Sequence, residues 1–209
     1  MSPQFKHSAK SNDRAIADYT KAIKLNAKPA VAYIRRGISY RVRGDNDRAA
    51  AYSGRGMVYR VKGDYDRAIS DYTEAIELHP ANSLPYGLRA LAFIERSRGR
   101  NDLSEQDRII ADYTKMIEID PKNANAYNNR AWAYFTAGKA AQGLPDAEKS
   151  LELQPDNYHA LDTRGSIFEA LGRRDDAIAD FRRAMSLGTN DPEVQASGRE
   201  ALKRLGAPE

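Results

Sequence analysis

One block of residues recurs along this chain at a fixed spacing. Tyr127-Asn128-Asn129-Arg130-Ala131 and Leu161-Asp162-Thr163-Arg164-Gly165 open equivalent segments 34 residues apart. A period of that size decides the architecture before any local propensity does. The fullest copy is Tyr52-Ser53-Gly54-Arg55-Gly56-Met57-Val58-Tyr59, then Gly63-Asp64-Tyr65-Asp66-Arg67-Ala68-Ile69-Ser70-Asp71-Tyr72-Thr73-Glu74-Ala75-Ile76-Glu77-Leu78-His79-Pro80. Tyr52, Gly56 and Tyr59 recur at helical spacing, and so do Ala68, Tyr72, Ala75 and Ile76, so each copy predicts two amphipathic helices and no strand. Gly63 separates the two, Asp64 is placed to cap the second, and Pro80 stops it. Asp66 in the first turn suits the helix dipole. Small residues at Gly56, Ala68 and Ala75 let the backbones approach while the aromatics fill the remaining space. A single hairpin cannot bury its whole apolar face. Stacked neighbours can, which predicts a solenoid with a concave and a convex side.

These residues resemble the tetratricopeptide repeat, a helix-turn-helix unit with small residues at set positions and a proline near its end. The wording Arg-Gly-x-x-Tyr, then Asp-Arg-Ala-Ile-x-Asp-Tyr-Thr, is similar to tandem repeat proteins of bacteria. Ala201-Leu202-Lys203-Arg204-Leu205-Gly206 resembles their terminal capping helix. The resemblance implies an all-α fold, a right-handed α-α superhelix of antiparallel helix pairs. It also implies a tail over residues 1–11, a solenoid of about five hairpins over 12–190, and a capping helix and tail over 191–209.

The period is broken in three places. Tyr33 to Asp45 parallels Tyr52 to Asp64 at an offset of 19, so 15 residues of a full repeat are absent and the array is expected to be irregular near 30–61. Tyr86 and Tyr127 are 41 apart, which leaves seven extra residues, expected as an insertion near 97–106. Asn12 to Leu25 reads as a second helix whose first helix is missing. If helix 12–26 pairs with helix 30–43, the losses compensate. If they do not, exposed apolar edges at the N-terminus favour a homodimer.

Composition removes whole classes of chemistry. Of the 209 residues none is cysteine, which excludes disulfides, thiolate metal sites and thiol nucleophiles. Neither a signal-peptide core nor an apolar run of membrane-spanning length occurs, so the chain as written is expected to be soluble, with a cytoplasmic setting favoured and no membrane partner. The net charge of +4 is uneven: residues 30–67 hold nine basic against four acidic side chains. That excess favours an acidic partner through long-range attraction. Nucleic acid is disfavoured, because the tyrosines fall at packing positions instead of forming a stacking track beside a basic one.

An arginine precedes the small residue of five copies (Arg36, Arg55, Arg89, Arg130, Arg164), and an aspartate recurs on the second helices (Asp18, Asp71, Asp112, Asp146, Asp180). Periodic placement favours an Arg-Asp ladder locking helix to helix over a row of ligand contacts. The concave face is expected to be lined by first-helix positions away from the hairpin partner. These are Arg35, Ile38 and Arg41, then Ser53, Met57 and Arg60, then Leu88 and Leu91. They continue through Asn125, Asn128, Asn129, Trp132 and Phe135 to His159, Asp162, Thr163, Ser166 and Glu169. Trp132 is read either as a peptide anchor or as inter-repeat packing.

Some members of the resembled family grip a chaperone C-terminus with a Lys, Asn, Lys, Arg clamp. Asn129 holds one such position, but Asn125, His159 and Thr163 stand where cations are wanted, which argues against that partner. Gly54-x-Gly56 is too short for a nucleotide fingerprint. Asp45-Asn46-Asp47 and Asp64-Tyr65-Asp66 sit at helix starts and read as caps, not as calcium loops. His7, His79 and His159 lack ligand spacing, so no catalytic residue, cofactor or metal site is assigned. The expected function is therefore a non-catalytic scaffold that binds a peptide or helix of another protein in its concave groove. The alternatives are a docking or regulatory region of a multidomain enzyme and a self-assembling dimer.

Overall fold

The computed structural model describes residues 45–98 and 103–208. Among them are nine helices and no strand: α1 Asp45–Val61, α2 Tyr65–Leu78, α3 Leu84–Arg96, α4 Leu103–Ile119, α5 Ala124–Thr136, α6 Ala140–Leu153, α7 Tyr158–Ala170, α8 Arg174–Leu187 and α9 Pro192–Arg204. They pack as sequential pairs, and the architecture is the all-α helical repeat expected from the period. The helices anticipated over 12–26 and 30–43, their mutual pairing, and Asp18, Arg35, Arg36, Ile38 and Arg41 lie outside the described residues. So does the stretch 99–102 of the anticipated insertion.

Local chemistry explains where the helices begin and end. The Asp64 carboxylate accepts from the Arg67 N–H, and Asn123 and Asn157 cap α5 and α7 by accepting from Ala126 and Ala160. Between the helices of a pair, Gly63, Gly138 and Gly172 adopt φ of 76°, 73° and 75°. This left-handed conformation closes a three-residue turn that a side chain would strain. The close approach expected at Gly56 is real: a Cβ there would lie 2.7 Å from the Tyr72 ring.

The chain divides into two compact units at residue 100. In the first, Ala68, Tyr72, Leu88 and Ala92 form a core to which Tyr59 and Ile69 add. Its α1 has 17 residues where α3, α5 and α7 have 13. Asp47-Arg48-Ala49 copies the start of a second helix, Asp66-Arg67-Ala68, and runs straight into the first-helix sequence from Tyr52. The start of a second-helix sequence and a first-helix sequence thus share one rod. In the second unit, Ala131, Ala147 and Ile167 form one core cluster, and Phe168, Ala177, Ile178, Phe181, Ala201 and Leu202 form another. The division falls where the sequence carries its extra residues, and part of the surplus lengthens α4 to 17 residues.

In the second unit the first helices α5, α7 and α9 touch one another in turn, whereas the second helices α6 and α8 barely meet. The side carrying α5, α7 and α9 is therefore the inner side of this unit. In the first unit α1 and α3 make the equivalent contact.

Candidate partner-binding face

The Arg-Asp recurrence is a structural ladder. Arg55, Arg130 and Arg164 each donate from Nε and Nη2 to both carboxylate oxygens of the aspartate 16 residues ahead, Asp71, Asp146 and Asp180. The distances run from 2.5 to 2.8 Å. These bidentate bonds raise each guanidinium pKa above its ordinary value. Arg130 also reaches back to the Thr114 hydroxyl and Arg89 to that of Thr73, so the same side chain ties one pair to the helix before it. All three aspartates are buried. The ladder is consumed by the fold.

The groove positions divide by unit. In the first, Met57 and Leu91 are exposed, joined by Leu84 and Ile94, while Ser53 and Leu88 are buried beneath. Arg60 is not a free cation: its Nη1 lies 2.5 Å from Oε1 of Glu95, which neutralises the charge anticipated as an attractor for acidic partners. Leu84 and Ile94 were not among the groove positions read from sequence. Their signal is an apolar side chain on the same stripe as Leu91.

In the second unit α5 presents Asn125, Asn128, Asn129, Trp132 and Phe135. Trp132, the sole tryptophan of the chain, is 42% exposed, and its ring lies 5.2 Å from that of Phe135. Asn125 is exposed and its Oδ1 accepts from Asn157 at 3.5 Å, while Asn128 and Asn129 are half-buried. The Asn128 Oδ1 is buried without a donor. On α7, Thr163 is buried and contributes packing, not the surface expected of it. Ser166 is half-buried, and His159 is exposed with Nε2 3.6 Å from Asp191.

Asp162 and Glu169 are engaged from α9. Ser197 Oγ donates to Asp162 Oδ1 at 3.0 Å, and Arg204 donates from Nε and Nη2 to Glu169. Burial lifts the Asp162 carboxyl above the usual carboxylate range, although the Ser197 hydroxyl and nearby His159 and Arg204 oppose the rise. The α9 contribution was missed in the sequence, where this helix reads only as a cap. Glu193, Ser197, Glu200 and Arg204 follow one helical stripe, which is the available signal. Among the described residues no cluster of three His, Asp or Glu is placed to hold a metal ion.

Comparison with known proteins agrees with this architecture. Tetratricopeptide repeat family models match residues 49–82, 112–144 and 158–188. No curated protein matches the chain in sequence. Among solved structures, the chain is similar to a tetratricopeptide repeat protein from Parabacteroides merdae ATCC 43184, with a TM-score of 0.75 and 17% identity over 94% of this chain and 74% of that one. It is similar to YrrB, a repeat protein described as having an unusual peptide-binding site, at a TM-score of 0.63 and 17% identity over 87% and 97% of the two chains. A third neighbour, the first repeat domain of Spaghetti (RPAP3) bound to the HSP90 peptide SRMEEVD, has a TM-score of 0.55 and 27% identity over 62% of this chain and 97% of its own. Sequence period, paired helices and family models converge: the chain is a tetratricopeptide repeat protein.

Proposed function

We propose that this chain is a non-catalytic scaffold that holds a peptide or helix of another protein against the inner side of its second unit. The observation that carries the reading is Trp132, a large aromatic left exposed beside Phe135 on the inner side, next to a row of carboxamides. A core residue of that size would be covered, and exposed aromatics of this kind anchor interfaces. Asn125 and Asn129 supply donors and acceptors able to pair with a peptide main chain.

The peptide-bound neighbours support the general mode but not their particular guest. Asn129 matches one clamp position, whereas Asn125 and Thr163 are neutral and His159 lies against Asp191. A guest held by a carboxylate clamp does not suit this face.

Crosslinking mass spectrometry on the native complex tests the assignment. Crosslinks are expected beside Asn128, Trp132 and Asp162, with Trp132→Ala weakening capture. Contacts confined to α6 and α8 would overturn it.

A further inference from the structure

The inner side of the second unit carries an imbalance of charge. Asp162 is satisfied at one oxygen by Ser197, which leaves Oδ2 able to accept. Glu193 and Glu200 are exposed on the α9 stripe that includes Ser197; neither makes an ion pair with a described residue, although the Arg204 guanidinium is close enough to be influenced by Glu200 and Asp162. Arg204 is committed to Glu169 by two hydrogen bonds. The α5 positions of this side, Asn125, Asn128, Asn129, Trp132 and Phe135, carry no charge. The unmatched groups of this stripe are thus carboxylates, and the aromatic pair stands on another first helix of the same unit.

We propose that this face selects a positively charged peptide segment, with lysine or arginine side chains over Asp162, Glu193 and Glu200 and an apolar side chain against Trp132 and Phe135. The inference rests on the peptide-binding reading above and specifies its guest. Lysine and arginine bring donors and no acceptor, which is what these groups lack. Opposite charge also speeds encounter and excludes acidic competitors. The sign is informative because the whole chain carries +4, so diffuse attraction draws acidic partners and a basic preference must arise locally.

The setting of Asp162 agrees with this. Burial disfavours its ionisation, which the Ser197 hydroxyl, His159 and Arg204 oppose. A guest cation set beside this carboxylate would favour the charged form further.

The test uses the full chain and three labelled peptides of equal length and apolar content, bearing Lys, Glu or Gln at the same positions. Binding is followed by peptide anisotropy and by Trp132 fluorescence, which reports from the site itself. The Lys peptide is expected to bind about tenfold more tightly than the Glu peptide at low salt, with the gap closing as salt rises. The triple variant Asp162→Asn, Glu193→Gln, Glu200→Gln should keep or slightly raise its thermal transition yet lose the preference, because the introduced carboxamide retains an acceptor for Ser197 and the two glutamates are exposed. Equal binding of all three peptides with a Trp132 response would overturn the charge selection and leave the peptide-binding face standing. Tighter binding of the Glu peptide, or a preference surviving in the triple variant, would also overturn it. No Trp132 response to any peptide would overturn both readings.

Discussion

The two units share their buried chemistry and differ on the face each turns inward. The first exposes aliphatic side chains, Met57, Leu84, Leu91 and Ile94, beside a closed ion pair between Arg60 and Glu95. The second presents carboxamides, the Trp132–Phe135 pair and three carboxylates that form no ion pair with a described residue. Underneath, Arg55–Asp71 and Arg164–Asp180 are the same bond, and Gly56 and Gly165 meet Tyr72 and Phe181 in the same way. A helical repeat therefore restricts the positions that join the two helices of a pair and lets the inner positions differ, even where some of them, such as Arg60 and Asp162, bond to the next first helix.

The largest effect should come from breaking what is shared. Arg164→Ala leaves Asp180 buried without its cation and should destabilise the second unit by about 2–4 kcal/mol in denaturant titration. Arg55→Ala should cost the first unit a similar amount, and a clear inequality would show that the ladder is not equivalent in the two. Next, Gly56→Ala drives a methyl group against the Tyr72 ring and should lower stability by about 1–3 kcal/mol through overpacking. Gly165→Ala, where the ring of Phe181 stands 3.0 Å away, should lower it less.

The inner faces should respond in binding and not in folding. Trp132→Ala is expected to weaken partner capture by about tenfold with the melting temperature nearly unchanged, while Leu91→Ala in the first unit leaves that contact intact. Equal losses from both would dissolve the distinction between the faces.

The smallest effect concerns Asp162, which faces His159 on its own helix and Asp191, Ser197 and Arg204 from α9 and the turn before it. Its folded pKa lies above the unfolded value. The folded state therefore holds the proton more tightly, and stability falls as pH rises from the ordinary carboxylate pKa through the elevated one. Asp162→Asn should accordingly raise the melting temperature slightly at neutral pH, with the gain vanishing in acid below that window. A constant gain at all pH values would assign it to packing instead.

The elements that depend on one hairpin were legible in the residues. Asp64 caps α2, Gly63 makes the turn, and Arg55, Arg130 and Arg164 each reach an aspartate in their own pair, because these contacts lie within one short stretch of chain. Contacts between neighbouring first helices were not legible. Arg60–Glu95, Asp162–Ser197 and Glu169–Arg204 all join residues 35 apart, one beyond the repeat period. That offset reflects how one hairpin is rotated against the next, a quantity the spacing of apolar residues does not contain. Thr163, expected at the surface, is buried, an outcome the spacing of apolar residues does not contain either.

By itself the sequence determined a stack of paired helices, their caps and turns, and an internal ladder of charge, since helical periodicity and short-range hydrogen bonding specify all of these. Only the tertiary structure decided which charges stay available. Arg60 is quenched by a glutamate in the following repeat, while Glu193 and Glu200 form no ion pair with a described residue, and that outcome depends on side chains brought within a few ångströms by packing between repeats.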